Sequence, residues 1–211
     1  MTRPSGLVAF STATRLRNLA PMKILVVLLA VAASVVAHAQ ERYVDKEVRV
    51  KAPLDAVWQA WTTTDGIKSF FAPDAHVEAI VEGPFEIYIN PLAEPGMRGA
   101  DGMRFLAIQE KKMLTFTWNA PPSLPEARAQ RTYVTLRFKP LGDDETLVTL
   151  HHGGWGEGGE WDKAYAYFDK AWSNVLANLE KRFATGKPQD WTEWMANLRA
   201  YMEKEKQAPP K

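Results

Sequence analysis

The sequence predicts an α+β fold in which a curved, seven-stranded antiparallel sheet wraps around one long C-terminal helix. Three observations carry this reading. Between Trp161 and Phe183, large apolar residues (Trp161, Tyr165, Phe168, Trp172, Val175, Leu176, Leu179, Phe183) recur at three- and four-residue steps, which places them on one stripe of a helix. From Tyr43 to His152, apolar and polar residues alternate in short runs divided by Gly and Pro turns, the period of half-buried strands. So aromatic a stripe needs a broad apolar partner, and the alternating strands are the surface available to cover it.

Taken in order, Tyr43 to Lys51 alternates Val44, Val48 and Val50 with charged residues and reads as a strand with one wet face. Ala52-Pro53 opens a helix, proline being tolerated in the first turn, and Leu54, Val57, Trp58 and Trp61 form its apolar face until Thr62 to Gly66 ends it. Ile67 to Phe71 reads as a second short helix stopped by Ala72-Pro73. From Ala75 the period is two: Val77, Ala79 and Val81, a turn at Gly83-Pro84, then Phe85, Ile87 and Ile89. Strands Met103 to Gln109 and Met113 to Asn119 lie between two proline-containing loops, 91–102 and 120–130. Arg131 to Lys139 and Thr146 to His152 complete seven strands, whose hairpin-like connections make them antiparallel. After the long helix, Thr185-Gly186-Lys187-Pro188 is a stop. Asp190-Trp191-Thr192-Glu193 resembles a capping box for one more helix, striped with Trp191, Trp194, Met195, Leu198 and Met202 and followed by a polar tail.

The N-terminus belongs to targeting. Lys23 precedes a thirteen-residue apolar run, Ile24 to Val36, and Ala37-His38-Ala39 supplies an A-x-A ending before Gln40. These features predict a signal peptide cleaved after Ala39 and a periplasmic or secreted product. Translation starts at Met1 or at Met22. The run is too short for a spanning helix, so no integral membrane segment is expected after cleavage. The chain thus divides into a leader and signal peptide (1–39), one domain (40–184), and an extra C-terminal helix with its tail (185–211). Residues 1–39 hold Arg3, Arg15, Arg17 and Lys23 and no acid, so 22 of the 26 basic residues remain against 25 acidic ones, a net charge of −3. That balance carries no nucleic-acid footprint. The lack of cysteine excludes disulfides, thiolate metal sites and a cysteine nucleophile.

Among polar residues, His151 and His152 are adjacent in a strand and point to opposite faces, so they cannot chelate one metal together. Counting from Val148 and Leu150, His152 shares the apolar face. It is the one candidate general acid or base, and a core histidine held by hydrogen bonds is the competing reading. Gly153 to Gly159 precedes a helix but lacks a Walker lysine and carries Glu157, with Glu160 and Asp162 following, which argues against a bound phosphate. Asp74 and His76, just after Pro73, are expected at the rim of the sheet–helix space. No cofactor and no metal site is predicted.

Five segments carry a resemblance in order and spacing: Ala52 to Trp61, Thr64 to Pro73, Leu114 to Trp118, Thr132 to Leu136, and Leu150-His151-His152-Gly153-Gly154-Trp155. Over roughly residues 43–183 the chain resembles the SRPBCC or START-like superfamily, with its helix-grip (Bet v-like) fold, and in detail the branch related to the activator of heat-shock protein 90 ATPase. The secretion signal and the helix after Pro188 depart from that branch. The resemblance implies an apolar cavity between sheet and helix, open between the two proline-containing loops and the short helices. It makes a small hydrophobic or amphipathic molecule the expected ligand, with Phe71, Phe85, Phe116, Trp118, His152, Tyr165, Phe168 and Trp172 in contact with it. Two alternatives are a START-like cyclase or hydrolase, using His152 with Trp118 and Tyr165 or Tyr167 near the substrate, and a chaperone-cofactor-like module docking a protein partner through 191–202.

Overall fold

The computed structural model describes residues 41–207; the leader, the cleavage site after Ala39 and the last residues of the tail lie outside the described residues. Strand β1 (Val44–Val50) leads into helices α1 (Leu54–Thr62) and α2 (Thr64–Lys68), then strands β2 (Asp74–Val77), β3 (Phe85–Tyr88), β4 (Phe105–Gln109) and β5 (Met113–Trp118). A one-turn helix α3 (Pro125–Arg128) interrupts the second proline-containing loop before β6 (Thr132–Pro140), β7 (Thr146–Gly153), the long helix α4 (Gly159–Thr185) and the last helix α5 (Thr192–Gln207).

The seven expected strands are present. Five form an antiparallel sheet in the order β1–β7–β6–β5–β4, and β2 and β3 form a hairpin. That hairpin continues the sheet past β4: Phe85 N–H donates to the Met103 carbonyl (2.8 Å) and Phe105 N–H to the Gly83 carbonyl (3.0 Å). The alternating pattern suggested that β2 would run on to Val81, but it ends at Val77. The chain turns there because Glu82 adopts φ 63° and Gly83 N–H closes on the Ile80 carbonyl, leaving Ile80 and Val81 62% and 57% exposed.

Helix α4 lies across the sheet with Phe168, Trp172, Leu176 and Leu179 of the expected stripe buried together with Ala164, while Trp161, Tyr165, Val175 and Phe183 are only partly buried along its edges. Trp161 sits at its edge, beside the small cluster of Ala120, Ala127 and Ala164. Two ion pairs, Arg42 to Asp162 (2.6 Å) and Lys46 to Asp169 (2.7 Å), tie α4 to the β1 side of the sheet. Being largely exposed, they orient the helix more than they stabilise it. Helix α5 buries none of its residues fully, yet it is fixed at its start. Trp191 Nε1–H donates to the Lys68 carbonyl (2.7 Å), Gln189 N–H to the Ser69 carbonyl (2.8 Å), and Trp194 Nε1–H to the Ile89 carbonyl (3.2 Å). Two of the tryptophans offered to a protein partner are therefore turned towards the domain itself.

Helices α1 and α2 meet at Thr63, whose hydroxyl accepts from Gly66 N–H (3.0 Å). At Gly66 a Cβ would stand 2.3 Å from the Gln59 carbonyl oxygen and 2.7 Å from Ala60 Cα, so only glycine lets the two helices come this close. Helix propensity alone makes Gly→Ala stabilising. Gly66→Ala is expected to do the opposite, losing about 1–3 kcal/mol to backbone displacement, read as a lower urea midpoint with an unchanged slope.

Candidate functional site

A cleft of about 740 Å³ lies between α4 and the loop end of the sheet. Its floor is Phe71, Trp118, Phe168 and Trp172, rings packed against one another: Phe71 and Trp118 stack at 6.0 Å, and Trp172 meets Phe71 edge-on at 5.7 Å. One flank of α4 supplies Tyr167, Ala171, Asn174, Val175 and Asn178, which continue at helical spacing beside the buried stripe. The opposite wall comes from Ile89 and Asn90 after β3, from Met97, Gly99 and Ala100, and from Asn119 to Ser123. Gln189, Trp191 and Trp194 close the remaining side. Among the described residues, no charged side chain lines it. The polar groups are amides and hydroxyls, and Asn119, though buried, makes no side-chain hydrogen bond among the described residues. Trp118 also keeps a buried indole N–H without a partner.

The two loops that form this opposite wall are fixed by a buried carboxylate within the first and by an arginine that joins the second to it. Asp101 accepts hydrogen bonds from the amides of Gly96 (3.0 Å), Arg98 (2.8 Å) and Gly99 (3.0 Å) and from Arg98 Nε (2.7 Å). Burial alone would push its carboxyl up, but these donors outweigh that and hold it below the usual carboxylate range. Arg128, from α3, then spans the gap, donating to the Ala120 carbonyl (2.5 Å) on one loop and to the Gly96 (2.6 Å) and Gly99 (2.8 Å) carbonyls on the other. The cleft wall is thus built from arginine-to-backbone bonds rather than from a strand ladder.

Beneath the floor lies His152, fully buried. Trp172 Nε1–H donates to its Nδ1 (2.8 Å), which fixes the proton on Nε2, and Nε2 donates to Thr132 Oγ1 (2.7 Å). Thr132 Oγ1 in turn donates to the Trp118 carbonyl (3.3 Å). The rings of Trp155 and Phe168 cover the imidazole at 4.1 and 5.2 Å between centroids. Burial pushes the His152 pKa down to about 3, with His151 adding a smaller electrostatic push in the same direction.

Of the eight expected ligand contacts, Phe71, Trp118, Phe168 and Trp172 line the cleft, and Phe85, Phe116, His152 and Tyr165 do not. Phe85 and Phe116 are fully buried and face each other at 4.2 Å, deeper in the sheet–helix core. Tyr165 points to the far flank of α4, where its hydroxyl donates to the Tyr43 carbonyl (2.9 Å). As a general acid or base His152 fails on geometry: both ring nitrogens are engaged, and it is sealed from the cleft. Asp74 and His76 are not at the rim; they pair with Lys68 (3.7 Å) and with Glu78 and Glu86 (3.1 and 3.5 Å) on the outer surface. The unanticipated lining residues are mostly the α4 flank and the amides. Asn174 and Asn178 carried only a polar signal, which a solvated helix face gives equally. Tyr167, 49% exposed, borders the cleft, and partial burial pushes its pKa up.

Because His152 must stay neutral in the fold but protonates near 6.5 when unfolded, the unfolded chain binds the extra proton between those values. Stability is fully present above pH 6.5 and falls as pH drops towards 3. Between pH 6.5 and 5 the expected loss is about 2 kcal/mol, seen as a drop in the urea midpoint that His152→Gln abolishes.

Residues 51–184 match the family described as Activator of Hsp90 ATPase homolog 1-like protein. Solved structures share the fold at low identity. A protein from Mesorhizobium loti is 23% identical with a TM-score of 0.53, over 66% of this chain and 95% of that one. The Aha1 dimer from Colwellia psychrerythraea is 18% identical with a TM-score of 0.53, over 67% and 96%. An HSP90 activator from Plasmodium falciparum is 15% identical with a TM-score of 0.50, over 70% and 99%. No curated protein matches the chain. With the order of elements, the helix-grip architecture and this match over most of the chain in agreement, the protein belongs to the Activator of Hsp90 ATPase homolog 1-like family of the SRPBCC superfamily.

Proposed function

We propose that this protein is an exported binding protein that holds a small apolar or amphipathic molecule in the cleft between sheet and α4, without covalent chemistry. The observation that carries the reading is the cleft itself: about 740 Å³, within the usual range of small-molecule sites, floored by four aromatic rings and lined by no charged residue among the described residues. Amides at Asn119, Asn174 and Asn178 and the phenol of Tyr167 supply orienting hydrogen bonds. The catalytic alternative has lost its one general acid–base candidate to the Trp172–His152–Thr132 web. The protein-docking alternative is weakened by Trp191 and Trp194, whose indoles are engaged on the domain.

Phenylnaphthylamine, a neutral apolar dye, is expected to bind the purified domain with enhanced fluorescence. Ala171→Trp, which fills the cleft, should weaken binding at least about tenfold, the equivalent of roughly 1.4 kcal/mol, with little change in melting temperature. No binding to the unaltered protein, and no co-purified apolar compound in native mass spectrometry, would overturn the reading.

Export rests on the sequence of residues 22–39, where a basic start, a short apolar run and an A-x-A ending coincide. N-terminal sequencing of protein from the native host is expected to begin at Gln40. Recovery of full-length protein from the cytosol would refute export and revive the chaperone-cofactor reading.

A further inference from the structure

A second cavity, about 260 Å³, adjoins the cleft at the C-terminal end of α4. Asn178 and Gln189 line both cavities, so the two share a wall. Their chemistry differs sharply. Among the described residues the cleft has no charged one, whereas this pocket is lined by Lys181, Arg182 and Lys187, with Asp190 as its one acid. The Asp190 carboxylate is already occupied, accepting from Thr192 N–H (2.9 Å) at the start of α5. None of the three cations forms an ion pair among the described residues. Arg182 also has its Nε–H buried without an acceptor, an arrangement that costs free energy unless something supplies one. Its guanidinium carbon lies 5.4 Å from the Phe183 ring centroid, a contact that leaves the N–H unsatisfied. Cations in a last helical turn suit the helix dipole, which accounts in part for Arg182. Lys187 lies beyond the helix end, so the dipole does not account for it.

Resting on the cleft reading above, we infer that cleft and pocket form one two-part site for an amphipathic anion, with its apolar body on the Trp118–Trp172 floor and its carboxylate or sulfonate among Arg182, Lys181 and Lys187. One face of α4 connects the two parts. From Trp172 to Arg182 is ten residues, about 15 Å along the axis, so a ligand with an elongated apolar body reaches both. The uncharged cleft selects the body, and the cationic pocket selects the sign of the head.

Two dyes separate this inference from the cleft reading. Parinaric acid and its methyl ester share one elongated, fluorescent polyene body, long enough to run from the floor to Arg182, and differ by the free carboxylate. The carboxylate form is expected to bind about threefold more weakly in Lys187→Gln and about tenfold more weakly in Arg182→Gln/Lys187→Gln. The methyl ester should stay within about twofold of the unaltered protein. Lys187 is exposed, so its single variant keeps the test valid if Arg182→Gln disturbs folding. Equal weakening of both dyes, or no weakening of either, overturns the inference and leaves the cleft reading standing. Failure of both dyes to bind the unaltered protein overturns the two together.

Discussion

The hydrogen bond from the Trp172 indole to His152 Nδ1 is the contact on which the rest of the arrangement depends. It joins α4 to β7 at full burial, where an unpaired indole N–H or imidazole nitrogen would cost about 1–3 kcal/mol. It also sets direction. With Nδ1 accepting, Nε2 must donate, so Thr132 Oγ1 is committed to accept there and to donate onward to the Trp118 carbonyl. A single neutral tautomer therefore threads from the helix, through β7 and β6, to the β5 residue that floors the cleft. The aromatic rings around it hold the relative position of helix and sheet, and the polar thread fixes their register.

That register leaves the cleft open. The buried stripe of α4 packs down on the sheet, while its neighbouring flank of Ala171, Asn174, Val175 and Asn178 offers side chains too small to close the space to the loops. The loops cannot collapse onto it, because Arg128 binds the two together through their backbone carbonyls and Asp101 fixes the first from within through its amides. Gly96 and Gly99 take φ of 90° and 147° in this wall, conformations that let their amides turn inwards to the carboxylate. The volume is held by polar bonds at its rim and by aromatic packing at its floor.

Residues beyond the family match complete the enclosure. Trp191 and Trp194 follow residue 184, where the match ends, and both line the cleft while bonding to carbonyls at the ends of α2 and β3. Gln189 and Lys187, in the same segment, bring the amide and the cation that face the second cavity. The family domain supplies floor and flank, and the C-terminal segment supplies a wall with its own chemistry.

By itself the sequence determined the periodic features: seven strands, the paired short helices, the α4 stripe, and the face on which His152 falls. These follow from local rules of repeat and turn, which hold before any long-range contact forms. The lack of cysteine likewise excluded thiolate chemistry without a fold. Tertiary structure decided which aromatic residues border empty space. Phe116 and Trp118 share one face of β5, and no local pattern separates the ring that ends in solid core from the ring that ends at a cavity. Likewise the stripe of Trp191 and Trp194 reads the same whether it meets a partner or the domain's own carbonyls. A residue's periodicity says which way it points, whereas what it meets depends on elements more than a hundred residues away, as with Trp194 and Ile89, separated by 105 positions.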